Sequence, residues 1–208
     1  MTLKKLIDSL IYRLEALIVK MTRPAMTRPA MTSPVMITGY SRYDGIYLPR
    51  TRISSSTHLG STEHLKIEDN VFIGHHNFID ASNGLAIGQG CQITNFVSIL
   101  THSSHISIRL YGDAYFSKKD PIGYIKGSVS IGNFTFIGPH SVIMPGTKIG
   151  QGCIVSAFSF VRGEFPDFTV IAGNPATVIG DTREMDRHYL EQHLELSDSY
   201  MSCRDFTK

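Results

Sequence analysis

From Ile131 onward an aliphatic residue recurs at every sixth position, at Ile137, Ile143, Ile149, Val155 and Val161. Neither an α-helix nor a flat strand has that period, because helix faces recur at about 3.6 residues and strand faces at about two. A short extended segment followed by a tight turn does repeat every six, with the aliphatic side chain turned inward and a small residue where the backbone bends. Four positions after each aliphatic residue stands Thr135, Ser141, Thr147, Cys153 or Ser159, so the small side chains share one register. Three such units close a triangular coil of about eighteen residues.

The same register occupies Ile67, Ile73 and Ile79, and then Ile87, Ile93 and Ile99. Between Ile79 and Ile87 the segment Asp-Ala-Ser-Asn-Gly-Leu-Ala holds two residues more than a plain unit, which predicts a bulged corner. Stacked coils lie about 4.8 Å apart, and the register then lines up Ile67, Ile87, Ile131 and Ile149 on one face. The expected fold class is an all-β solenoid with its β-helix domain over residues 37–181. Residues 37–66 show no clean register and are expected to supply irregular early strands or a first coil.

Two appendages are expected. Leu3, Leu6, Ile7, Leu10, Ile11, Leu14, Leu17 and Ile18 recur at helical spacing, so residues 1–20 read as an amphipathic helix, with Asp8, Arg13 and Glu15 interrupting any membrane-spanning run. Its expected role is packing on a β-helix end or a neighbouring subunit; Lys4, Lys5, Arg13 and Lys20 leave peripheral docking on an anionic membrane surface as the alternative. Met-Thr-Arg-Pro-Ala stands twice from Met21 and is followed by Met-Thr-Ser-Pro-Val. A proline at every fifth residue forbids a regular helix, so residues 21–36 read as an extended linker. Residues 182–208 read as a C-terminal helix, with Met185, Tyr189, Leu190 and Leu194 on its apolar side and sealing the last coil, followed by a loose tail.

The run Val-Ser-Ile-Gly-Asn-Phe-Thr-Phe-Ile-Gly-Pro-His-Ser-Val-Ile-Met-Pro-Gly from Val129, followed by Ala-Gly-Asn-Pro-Ala from Ala172, resembles the hexapeptide-repeat acyltransferases, and within them the sugar and polysaccharide O-acetyltransferases. The resemblance covers about residues 67–181. It implies a left-handed parallel β-helix, an exception to right-handed crossovers, and a homotrimer. It also implies acetyl-CoA as donor, a histidine general base, and a hydroxyl of a sugar or cell-surface polysaccharide as acceptor. No metal is expected.

Composition narrows the partners. The chain carries 20 basic against 18 acidic residues, a net +2, and shows no nucleic-acid motif, so nucleic acid is not an expected partner. Three cysteines with no C-x-x-C pair read as free thiols in a reducing compartment, the cytoplasm; Cys91 and Cys153 fall at the small inward position, and Cys203 lies in the tail.

The repeat fails after Ile99 and resumes near Val129. An excursion of this size from a compact solenoid is where function concentrates. It begins beside His102 and His105. Removing a hydroxyl proton during acetyl transfer needs a base of near-neutral pKa, which histidine supplies. His102 is favoured because it follows Thr101 close to the rigid coil; His105 is the alternative. The rest of the excursion, residues 105–128, carries Arg109, Tyr111, Tyr115, Phe116, Lys118, Lys119, Tyr124 and Lys126, a composition suited to a sugar and equally to a subunit contact. Among these, Arg109, Tyr111 and Tyr124 are the candidate acceptor-binding residues.

For the cofactor, the resemblance implies Phe136, Gly138, Ala157, Gly173, Asn174, Pro175 and Ala176 along the pantetheine and adenine ends of coenzyme A, with Arg162 and Arg183 at its phosphates. Two other readings use the same fold. A zinc hydratase would draw three ligands from His75, His76, His102, His105 and His140, and the register lines His75, His76 and His140 along one corner. A catalytically silent β-helix scaffold would bind no thioester.

Overall fold

The structure, a computed structural model, describes residues 33–204, apart from the side chains of residues 203 and 204. The expected helix at 1–20, most of the linker at 21–36 and the Cys203 side chain lie outside the described residues.

Each six-residue unit ends in a strand of two or three residues, and successive strands fall in turn on three parallel sheets. The first face stacks Tyr47–Ser54, Phe72–Ile73, Gln92–Ile93, Phe136–Ile137, Ile154–Val155 and Thr169–Gly173. The second stacks His58–Gly60, Phe78–Asp80, Ser98–Ile99, Val142–Ile143 and Phe160–Val161. The third stacks Leu65–Ile67, Leu85–Ile87, Val129–Ile131, Lys148–Ile149 and Glu164–Phe165. Ile67, Ile87, Ile131 and Ile149 are direct partners up the third face, as the period predicts. A first coil, one of the two outcomes expected for residues 37–66, is built by the strands from Tyr47–Ser54 to Leu65–Ile67.

Inward ladders fill the interior. Ile73, Ile93, Ile137, Val155 and Ile171 on the first face and Ile79, Ile99, Ile143 and Val161 on the second are fully buried. The small register seals the bends. Thr135 Oγ1 donates to the Gly150 carbonyl at 2.8 Å and Ser141 Oγ to the Ser156 carbonyl at 3.0 Å, so buried hydroxyls satisfy corner carbonyls. Cys91 and Cys153 occupy the same register as free, buried thiols. Burial pushes the Cys91 thiol up to about 11, which keeps it protonated and inert.

At the corner after the first face, the third residue past the inward aliphatic is left-handed at His76, Phe96, His140 and Phe158, with φ between 58° and 60°. That conformation costs a bulky residue about 1–2 kcal/mol. The rings offset this by stacking into a continuous ladder, with centroid spacings of 5.2, 4.9 and 4.8 Å. Backbone closeness dictates the glycine at the corner after the third face, where a Cβ on Gly132 would come within 2.5 Å of Gly150 C and Gln151 N.

Antiparallel strands close both ends of the first face. Met36–Ser41 pairs with Tyr47–Ser54, and Ala176–Asp181 pairs with Thr169–Gly173. The last edge of that face is therefore covered by a strand and not by the helix expected to seal it. The helix Thr182–Gln192 starts after that strand, with Asp181 accepting from the Arg183 backbone N–H at 2.8 Å as N-cap. Its expected apolar side is largely in solvent, with Met185, Tyr189 and Leu194 at 52%, 63% and 76% exposure. Nor is the described part of the tail loose, since Ser197–Arg204 forms a second helix, anchored by the Tyr200 hydroxyl donating to Asp186 at 3.0 Å. Among the described residues no helix is long and apolar enough to cross a membrane.

The excursion leaves the coil at His102. His102–Ser103 pairs antiparallel with Ile125–Lys126, and the Gly127 N–H donates to the Thr101 carbonyl at 3.0 Å, so the loop is pinned at its root. Beyond that root it holds a short helix, Ser107–Tyr111, and a 3-10 turn, Gly112–Ser117.

Neighbouring residues on one strand test the inward ladder. Ile137→Ala should cost about 2–5 kcal/mol in urea unfolding followed by circular dichroism. Phe136→Ala, at a side chain 38% exposed, should cost clearly less, and equal losses would undo the alternation.

Candidate active site

The bulged corner that follows the second-face strand Phe78–Asp80 gathers a polar cluster. Asp80 is 7% exposed, and its Oδ2 accepts from the Thr101 hydroxyl at 2.6 Å and from the Thr101 backbone N–H at 3.1 Å. Ser82 donates from its backbone N–H to Oδ1 at 3.0 Å and from its hydroxyl to Oδ2 at 3.2 Å. Burial works to raise the Asp80 carboxyl, but the hydrogen bonds from Thr101 and Ser82 outweigh it and hold it well below the ordinary carboxylate range. A fixed anion results.

His102 Nδ1 lies 2.9 Å from Asp80 Oδ2 and 3.1 Å from Ser82 Oγ. A carboxylate only accepts, so this contact selects the tautomer with hydrogen on Nδ1 and leaves the Nε2 lone pair available. The ring is stacked on Tyr124, with centroids 5.7 Å apart and planes 19° from parallel. The His102 side chain is 40% exposed, so it is held without being sealed off. His105 is exposed, and its Nδ1 meets only the neighbouring Ser103 hydroxyl at 2.8 Å among the described contacts.

Beside His102 the excursion encloses a cleft of about 760 Å³ whose wall includes Ser82, Tyr115, Phe116, Lys118, Lys119, Tyr124 and Lys126. Of the three acceptor-binding candidates, Tyr124 alone faces this cleft. The Tyr111 hydroxyl accepts from the Ile122 backbone N–H at 3.0 Å and braces the loop from within, and Arg109 turns back onto the His105 carbonyl.

The cofactor candidates divide by position. Gly138, Ala157 and the Gly173 to Ala176 hairpin meet at the corner after the first face, where the Gly138 N–H donates to Val155 O at 2.8 Å and the Gly173 N–H to Ser159 Oγ at 3.3 Å. Asn174 and Pro175, joined by a cis peptide, form the exposed tip of that hairpin. Phe136 stands on the outer side of the first face. Arg162 is exposed at the end of the second face, and Arg183 is ion-paired with Asp181 over the Phe168 ring at the corner after the third. The two arginines therefore do not meet the glycine-lined corner within this chain, because their register positions put them at other corners.

The histidine candidates for zinc also separate. Phe96 is interleaved between His76 and His140, and His75 Nδ1 is hydrogen-bonded to Ser54 Oγ at 2.6 Å. Among the described residues no three histidine, cysteine or acidic side chains converge.

Three parallel sheets wound from six-residue units define a β-helix of the hexapeptide type. Residues 64–100 match the hexapeptide repeat of succinyl-transferase, and residues 128–163 match the bacterial transferase hexapeptide of six repeats. Over these coils the chain resembles the hexapeptide-repeat acyltransferases. It is 36% identical over 114 residues to the Escherichia coli (strain K12) protein WbbJ, whose name assigns it O-acetyl transfer in lipopolysaccharide biosynthesis; the match covers 53% of this chain and 57% of that one. It is 31% identical over 103 residues to the galactoside O-acetyltransferase of the same strain, covering 50% of this chain and 46% of that one. The chain thus spans about half the length of these curated relatives. In fold it is similar to AntD, an N-acyltransferase from Bacillus cereus in complex with dTDP and 3-hydroxybutyryl-CoA, with a TM-score of 0.56 at 18% identity over 75% of this chain and 89% of that one.

Asp80 and Ser82 were not among the residues the sequence singled out; the bulge between Ile79 and Ile87 was their signal. A carboxyl held below its ordinary value of 3.8 contributes stability that is complete above that value and fades as pH falls through the lower folded one. Asp80→Asn should therefore destabilise the fold by about 1–3 kcal/mol near neutral pH, with the gap from wild type closing in acid. A gap unchanged from about pH 7 to about pH 2 would show that Asp80 is not a native carboxylate.

Proposed function

We propose that this chain transfers an acetyl group from acetyl-CoA to a hydroxyl of a sugar or cell-surface polysaccharide, with His102 as general base. The observation that carries the reading is the Asp80–His102 contact of 2.9 Å at the pinned root of the excursion, next to a cleft large enough for a sugar ring. In this reading Nε2 of His102 takes the hydroxyl proton as the oxygen attacks the thioester carbonyl carbon. The C–S bond breaks, and the proton can pass to the departing sulfur. Asp80 steadies the imidazolium formed in between. The similarity to proteins named for O-acetyl transfer and the matched repeats support the class of reaction.

Coenzyme A would run along the corner lined by Gly138, Ala157 and Gly173, where the absence of large side chains lets a narrow thiol arm approach the backbone. Within one chain that corner and His102 stand at opposite edges of the second face, one hexad or up to about 20 Å apart along the chain. The reading therefore makes the working unit a homotrimer, in which the base of one copy faces the cofactor corner of the next. Light scattering should report three copies, and a monomer that stays fully active at high dilution would remove this part.

His102→Ala should lower turnover by about 10²–10⁴ while leaving acetyl-CoA affinity, measured by calorimetry, nearly unchanged. His105→Ala should be much milder. Reversed results make His105 the base, and unchanged turnover in both variants would end the single-histidine mechanism.

A further inference from the structure

The cleft beside His102 is lopsided in charge. Lys118, Lys119 and Lys126 stand on its wall against a single carboxylate, Asp120, although the whole chain carries only two more basic than acidic residues. Asp120 lies 4.0 Å from Lys126. Among the described residues neither Lys118 nor Lys119 has a carboxylate within ion-pairing distance; Lys118 rests 5.7 Å from the centre of the Tyr111 ring.

The position of these cations matters as much as their number. Lys126 is the ladder partner of His102, and its ammonium lies 5.5 Å from the centre of the Tyr124 ring that stacks on the imidazole. Phe116, on the same wall, leaves 89% of its surface in solvent. An exposed aromatic face beside several cations matches a ligand with an apolar ring face and an anionic substituent. A neutral sugar would use the ring but leave the ammonium groups solvated.

We infer that the acceptor is a sugar carrying a negative charge, a carboxylate or a phosphate, which Lys118, Lys119 and Lys126 hold while a hydroxyl is presented to His102. This rests on the transferase reading above and narrows its acceptor class. The lysines select among acceptors; they do not touch the transferred group.

Methyl β-glucuronide, glucose 6-phosphate and methyl β-glucoside share a ring and differ in charge. Their binding to the full chain, followed by ligand-observed NMR, and their acetylation by acetyl-CoA give two separate readouts. The expected result is a preference of roughly tenfold for one or both charged sugars, weakened by salt. Whichever of the two is favoured identifies the anion. Lys118→Gln combined with Lys119→Gln should reduce that preference by about three- to tenfold. Equal binding and equal kcat/KM for all three sugars would overturn the inference while the transferase reading stood. An equal loss of acetyl-CoA affinity in the double variant would also overturn it, by assigning the lysines to the cofactor phosphates. A charge preference in binding with no acetyl transfer to any sugar would instead sink the transferase reading.

Discussion

Everything in this molecule depends on the stacking of equal register positions along one axis. Inward aliphatic residues on the three faces contact their counterparts above and below, with Leu59 and Phe165 partly buried at the ends, and the three ladders meet in a core only one side chain deep. Because the coils are so thin, no second layer absorbs a misfit. The constraint extends to the bends, where buried Thr, Ser or Cys side chains satisfy corner carbonyls and where Gly132 lets two backbones approach closer than a Cβ permits. A rigid scaffold of this kind can hold a catalytic side chain to within a fraction of an ångström.

The departures from that constraint gather the polar side chains. Two extra residues at the corner after Ile79 give the chain room to turn Asp80 and Ser82 toward Thr101 and His102. At the next coil the same corner opens into the long excursion, and its root becomes a two-residue ladder whose first member is His102. The buried carboxylate, the hydroxyls and the imidazole thus converge because two successive irregularities are stacked on one corner. Tyr124 returns from the far end of the excursion to lie against the imidazole. Burial, with the neighbouring Tyr115 and Asp80, raises its hydroxyl above the usual phenol range, so it stays neutral beside the histidine.

The aromatic ladder at the corner after the first face shows how local strain is compensated by packing. Left-handed backbone at His76, Phe96, His140 and Phe158 is unfavourable for each residue alone. Spacing set by the sheets brings the rings to stacking distance, so the same geometry that imposes the strain also supplies the contact that offsets it. This interleaving separates His76 from His140 and leaves the histidines of this corner without a common centre.

The six-residue period by itself determined the solenoid, the alignment of Ile67 with Ile87, Ile131 and Ile149, the burial of Cys91 and Cys153, and the place where the repeat breaks, because a register held for a hundred residues has few geometric solutions. It also pointed to His102 through its closeness to the coil. It was silent where contacts are long-range or irregular. For the first coil, built by the strands from Tyr47–Ser54 to Leu65–Ile67, it left irregular strands and a coil both open, because a bulge and a hairpin obscure the register. The local pattern places Ala176–Asp181 in the coil region and leaves the tail loose, since hairpin pairing and the Tyr200–Asp186 contact depend on partners it does not reveal. Only the tertiary structure decided that Asp80 belongs with His102, 22 residues away, that Tyr124 faces the cleft while Arg109 and Tyr111 serve the loop, and that Arg162 and Arg183 occupy separate corners. A period states which residues share a register; it takes the closed coil to say which corners, and therefore which side chains, meet.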